Sequence, residues 1–157
     1  MRKLVLLAAL LSCGASAVNL SELKAEEICV EPKFVTMVRG DYLQDLIPEV
    51  SVENSTSLID LGFVIGKSIR CKYKLLGSTD FSYFGKLDIG NVTATLSLYP
   101  IGLPSHNTLL VRSGYETTYY TEKISISAIN LKVAQYAYTL YDAFIKDWKQ
   151  AHPEGVK

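Results

Sequence analysis

The stretch Asn91-Val-Thr-Ala-Thr-Leu-Ser-Leu98 carries the clearest structural pattern in the chain. Val92, Ala94, Leu96 and Leu98 alternate in it with polar residues. Such a period of two is typical of a β-strand that buries one face and leaves the other to solvent. The stretch therefore predicts a sheet with an apolar inner face.

The segment before this strand shows the same alternation. Apolar residues take every second position of it: Ile69, Cys71, Tyr73 and Leu75. The basic residues between them predict a half-buried strand with a basic outer face. Gly77-Ser-Thr-Asp80 then predicts a turn, and Gly90-Asn91 predicts a β-bulge in the next strand.

The segments that follow predict a third and a fourth strand. Leu109 and Val111 begin one of them, and Ser113-Gly114 predicts a turn after it. The apolar face of the fourth predicted strand consists of Ile124, Ile126 and Ala128. Alternating strands separated by turns indicate an antiparallel β-meander with one buried face.

The two ends of the mature chain have helical spacing. Near the C-terminus, apolar residues form one helical stripe that predicts a helix over 134–150: Val133, Ala137, Tyr141, Phe144 and Trp148. Near the N-terminus, Asn19 as N-cap predicts a short helix over 20–29. A four-residue spacing predicts a second helix that ends before Pro48: Phe34, Val38, Tyr42 and Leu46.

The first 17 residues have the composition of a secretory signal peptide. Arg2 and Lys3 precede an apolar run over 4–11, and Ala15-Ser-Ala17 is the predicted cleavage motif. The alternative is a lipoprotein signal with Cys13 as the modified residue. We expect residues 18–157 to form one secreted, extracellular domain, because the apolar run over 4–11 is too short to span a membrane and no second long apolar run follows.

Export decides how the remaining cysteines are interpreted. Cys29 and Cys71 are the pair left in the mature chain, and an oxidising compartment favours a disulfide between them. The alternative is two unpaired, buried thiols. Asn54 and Asn91 begin Asn-x-Thr triplets and are the predicted glycosylation sites.

Composition excludes several classes of function. The 16 basic and 16 acidic residues cancel, so the basic face of a nucleic-acid-binding protein is not expected. Two histidines and three cysteines leave little for a transition-metal site. Since the chain has no catalytic, phosphate-binding or Cys-x-x-Cys motif, we expect neither an enzyme nor a cofactor.

Three segments resemble the central meander of arthropod tubular lipid-binding proteins, which include juvenile-hormone-binding, takeout-like and dust-mite allergen proteins. They are Ile69–Gly77, Gly85–Ile89 and Asn91–Leu98. The resemblance implies an α+β fold in which a curved antiparallel β-meander packs on the C-terminal helix, after short N-terminal helices. It also implies an apolar tunnel. Proteins of that family are usually longer, and their N-terminal cysteines pair with each other locally. In this chain Cys29 has only the distant Cys71 available.

Two functions follow from these patterns. The first is a secreted carrier that holds a lipid or another hydrophobic small molecule between sheet and helix. The residues expected to line its cavity are Tyr73, Val92, Ala94, Leu96, Leu98, Ile124, Ile126, Ala128, Tyr136 and Phe144. The alternative is a secreted interaction or effector protein, of salivary or immune type, in which the same faces form a solid core.

Overall fold

Six strands and two α-helices are present in the part of the chain that the computed structural model describes, residues 19–40, 50–53, 55–87, 89–103, 110–119 and 125–153. The strands are β1 (Ile28–Val30), β2 (Val35–Gly40), β3 (Val64–Ile65), β4 (Tyr73–Phe84), β5 (Ile89–Pro100) and β6 (Leu110–Tyr119). The helices are α1 (Thr56–Asp60) and α2 (Ile126–Ala151), and 3-10 turns cover Leu20–Glu22 and Ala25–Glu27. The predicted signal peptide lies outside the described residues.

The strands form one mixed sheet in the order β3-β1-β4-β5-β6, with β2 also paired to β4. The three longest strands pair antiparallel, β4 with β5 and β5 with β6. The other three of the five pairings are parallel, and β1 and β2 follow one another along the same edge of β4. The α+β class with a C-terminal helix is therefore confirmed, whereas a purely antiparallel sheet is not.

The apolar alternation of β5 is confirmed, but the breaks predicted around it are wrong. Register between β4 and β5 runs without interruption from Tyr73↔Pro100 to Phe84↔Ile89, so neither the turn at 77–80 nor the bulge at 90–91 exists. The alternation of buried side chains simply continues along β4 through Gly77 and Thr79. Likewise, β6 runs straight through the predicted Ser113-Gly114 turn. Glycine and serine at these positions predicted turns, but pairing with the neighbouring strands overrides that local preference.

Both N-terminal helices were wrong predictions. Residues 28–30 and 35–40 are strands, and from residue 19 onward the two 3-10 turns are the helical structure that precedes them. Asn19 does cap the first turn, because its side chain accepts a hydrogen bond from the Ser21 N–H. The spacing of Phe34 and Val38 explains the error, since residues four apart also share one face of a strand. The rest of the second predicted helix lies outside the described residues.

Helix α2 is longer than predicted and begins inside a segment that was expected to be a strand. Ser125 is its N-cap, and its hydroxyl accepts a hydrogen bond from the Ala128 N–H at 3.2 Å. Ile126 and Ala128 therefore belong to the first turn of α2, while Ile124 lies outside the described residues. The alternation over 124–128 is too short to specify a strand once a cap and 26 helical residues follow.

The core lies between the inner face of the sheet and the apolar stripe of α2. All five stripe residues are buried, as predicted: Val133, Ala137, Tyr141, Phe144 and Trp148. Phe34 inserts between the two layers, packs edge-on against Tyr141 with ring centroids 5.3 Å apart, and covers Gly77 of β4. The inner face also holds one hydroxyl pair, in which Thr79 donates to Thr36 at 3.1 Å.

The contact between Phe34 and Gly77 makes a glycine obligatory in the middle of β4. A Cβ atom added at Gly77 would lie 2.5 Å from Cζ and 2.6 Å from Cδ1 of the buried Phe34 ring. We expect Gly77→Ala to lower the free energy of unfolding by about 1–3 kcal/mol, the usual cost of overpacking a core. Urea denaturation of the purified protein measures this.

Gly114→Ala is the matched control, because a Cβ there would meet nothing closer than the Tyr136 ring at 3.8 Å. In a Phe34→Ala background the ring is gone, so Gly77→Ala should cost much less. An equal cost in both backgrounds would contradict this explanation.

Candidate binding surfaces

The predicted ligand-lining face of β5 is buried against α2. Val92, Ala94, Leu96, Leu98 and Phe144 are each at most 1% exposed. A cavity large enough for one water molecule would leave part of its wall accessible to a water-sized sphere. These side chains therefore border no such cavity in the structure.

The other predicted lining residues are dispersed. Tyr73 is half-buried at the start of β4, and Tyr136 is half-buried on α2 over Gly114 of β6. Ala128 is half-buried in the first turn of α2. Ile126 belongs to the same turn. Of these residues, Tyr73 and Tyr136 pack against the buried core, and they do so from different elements of the fold.

An aromatic cluster closes the C-terminal end of the core. The Phe63 ring lies 4.7 Å from Trp148 and 5.7 Å from Phe144, centroid to centroid. His152 stacks on Trp148 at 4.2 Å. Trp148 is 1% exposed, and its indole N–H has no hydrogen-bond partner in the described part of the chain.

His152 ties the end of α2 to the N-terminal segment. Its Nδ1 lies 3.0 Å from the carbonyl oxygen of Trp148, and its Nε2 lies 3.1 Å from that of Leu23. A neutral imidazole donates to one of these oxygens, and a protonated one donates to both. The contact holds the first 3-10 turn against α2, across 129 residues of sequence.

A groove of about 550 Å³ opens beside this cluster. Its apolar part comes from Leu23, Ala25 and Trp148, of which the first two belong to the N-terminal segment. Two exposed carboxylates, Glu26 and Asp60, stand at its rim. Lys24 also lines it, so the rim carries more negative than positive charge. We call this feature the Trp148 groove.

A second, smaller cleft of about 390 Å³ lies beside residues 138–145 of α2, and its lining is polar and apolar in similar parts. Ser51, Ser57 and Asp142 line it, and the Tyr138 hydroxyl donates to the Ser51 carbonyl at 3.3 Å. Tyr141 also lines it, and its hydroxyl has no hydrogen-bond partner among the described residues. Burial raises the pKa of this phenol, and the charge of Glu31 raises it further.

The disulfide between Cys29 and Cys71 is present, as predicted, and joins β1 to the segment before β4. The Ser68 N–H points at the sulfur of Cys29 from 3.2 Å. Beside the bridge, Lys72 pairs with Glu27 at 2.6 Å, and this hydrogen bond raises the pKa of the lysine. The disulfide is consistent with an extracellular protein.

The two predicted glycosylation sites differ in what the structure describes. Asn54 lies outside the described residues. Asn91 lies in β5 on the outer face of the sheet, between Ser82 of β4 and Thr117 of β6. Its Oδ1 atom is buried without a hydrogen-bond partner in the described residues, so folding has already removed this oxygen from solvent.

The sequence did not predict the Trp148 groove, because no motif or spacing within one segment indicates it. Its walls come from residues 23–26, 60–62 and 148–152, three segments that only the fold brings together. Within the described ranges, no group of three or more His, Cys, Asp or Glu side chains is placed to hold a metal ion. No helix among the described residues is both long and apolar enough to cross a membrane.

Comparison with known proteins adds no family to this description. No protein-family model matches the chain, and no curated protein matches it.

Proposed function

We propose that this chain is a secreted interaction protein, with a filled core and a macromolecular partner that binds at its surface. The observation that carries the proposal is the closed packing of the inner sheet face, where Ala94, Leu96, Leu98 and Phe144 have no exposed surface. A carrier pocket typically measures about 300–1,000 Å³ and is lined by apolar side chains. The burial of these side chains supports a filled core between sheet and helix rather than such a pocket.

The competing proposal is the lipid carrier of the tubular family that the sequence resembles. It requires the three long antiparallel strands to curve around α2 and to leave space for a ligand between the layers. The alternation of β5 and the stripe of α2 suit a core and a cavity equally. The distinction therefore depends on whether the interface is filled.

Ligand content is the direct test. We expect native mass spectrometry of the secreted protein to give the mass of the chain and its glycans alone, with no lipid in an organic extract. Titration with a fluorescent fatty acid should show no saturable binding. A stoichiometric co-purified lipid would overturn the proposal and favour the carrier.

A substitution in β5 gives an independent prediction. Leu96→Trp adds volume to a filled core, so we expect it to lower the free energy of unfolding by about 1–3 kcal/mol or more. Ser97→Trp is the matched control, because Ser97 lies on the outer face of the same strand. In a carrier, Leu96→Trp would instead occupy the cavity, leave stability nearly unchanged and weaken fatty-acid binding.

The Trp148 groove is the proposed contact surface for the partner. It combines an apolar wall with exposed carboxylates, as expected for recognition of a partner segment that carries basic side chains. We expect Glu26→Lys combined with Asp60→Lys to abolish cross-linking to the partner in the native extracellular fluid. Glu53→Lys, an exposed charge outside the groove, should leave the same cross-link intact.

A further inference from the structure

Strand β6 forms a long, regular edge of the sheet. It pairs with β5 along ten residues, from Leu98↔Leu110 to Ile89↔Tyr119, without a bulge. No strand among the described residues pairs with its other side. Within the described part of the chain, that side carries a row of backbone N–H and C=O groups without a strand partner, which another strand could pair with.

The other strands at the periphery of the sheet are better protected. β3 is two residues long and β2 is six residues long, whereas β6 has ten residues. Shortness is one of the usual means of preventing edge pairing. β6 has neither proline nor lysine, and its sequence Leu110-Val-Arg-Ser-Gly-Tyr-Glu-Thr-Thr-Tyr119 is rich in strand-forming residues.

The charges of β6 are arranged symmetrically and with opposite sign about Gly114. Arg112 stands two residues before this glycine, and Glu116 stands two residues after it. An antiparallel pairing of two identical strands centred on Gly114 places residue 112 of each copy directly opposite residue 116 of the other. Opposite charges at facing positions stabilise such a pairing, and like charges destabilise it.

We propose that β6 pairs with β6 of a second copy of this chain, antiparallel and with Gly114 at the two-fold axis. The contact is isologous, as closed dimers require. The two sheets become continuous, and both α2 helices lie on the same face of the joined sheet. The dimer depends on the β6 edge alone, so it stands or fails independently of the proposed partner.

A charge-swap series tests the pairing. Arg112→Glu places Glu opposite Glu at both ends of the contact, and Glu116→Arg places Arg opposite Arg. We expect each single variant to weaken dimerisation by about tenfold or more in sedimentation velocity, with the double variant Arg112→Glu/Glu116→Arg restoring it. The two positions are four residues apart in one strand, about 13 Å, so rescue cannot come from a pair within one copy.

Cysteine cross-linking tests the register separately. Gly114→Cys should give a disulfide-linked dimer under mild oxidation, because the two copies of residue 114 face each other at the axis. Thr118→Cys is the control and should not cross-link, since its counterpart in the partner is residue 110. A wild-type protein that stays monomeric at all concentrations would overturn the proposal. So would a folded double variant that dimerises as poorly as the single variants.

Discussion

Replacing Cys29 and Cys71 together by alanine is expected to lower the free energy of unfolding by about 4 kcal/mol. The bridge joins residues 42 apart in sequence, and closing so long a loop removes much of the conformational entropy of the unfolded chain. For a domain of this size the loss corresponds to a fall in Tm of about 10–15 °C. Differential scanning calorimetry measures both quantities.

The control separates the bridge from the packing of the two side chains. Reducing the wild-type protein leaves both sulfur atoms in place, so it should reproduce most of the loss. A double variant that melts at the wild-type temperature would mean that the bridge does not constrain the unfolded chain. A loss seen in the variant but absent on reduction would instead point to the packing of Cys29, which is 4% exposed.

Phe144→Ala is expected to lower the free energy of unfolding by about 3–5 kcal/mol. Phe144 has no exposed surface, and its ring packs against Phe63 and Trp148 at centroid distances of 5.7 and 6.1 Å. Removing it leaves a cavity that two rigid aromatic rings cannot refill. Urea denaturation, followed by the fluorescence of Trp148, the one tryptophan of the chain, measures the change.

Leu131→Ala is the matched control for this prediction, because Leu131 lies on the same helix with 71% of its surface exposed. We expect it to change stability by no more than about 0.5 kcal/mol. If Phe144→Ala were as mild as Leu131→Ala, the region between sheet and helix would not be tightly packed. That outcome would favour the lipid carrier over the proposal made above.

The segment from Phe34 to Leu46 illustrates what local pattern cannot decide. Apolar residues four apart lie on one side of a helix, but they also lie on one side of a strand. The edge of β4 was available for pairing, and Val35–Gly40 occupies it as β2. Pairing with residues of β4, 43 positions further along the chain, therefore determines that this segment is a strand and not a helix.

The turns predicted at Gly77 and Gly114 illustrate a second limit. Glycine marks a turn when its conformational freedom is needed, but it also occurs where another side chain must pass close to the backbone. At Gly77 that side chain is Phe34, which immediately precedes β2 on the same sheet edge. Only the three-dimensional neighbour distinguishes these two uses.

The sequence by itself determined the features whose periodicity is long and unambiguous. These are the buried face of β5 and the apolar stripe of α2, because each has a regular period over many residues. For the two cysteines the sequence left a disulfide or two unpaired thiols, and the fold joins them. Tertiary structure alone decided the strand at 35–40, the uninterrupted course of β4 and β6, and the groove formed by three distant segments. It also decides whether the apolar faces meet in a core or enclose a cavity, since both need the same residues and differ only in how closely the two layers approach.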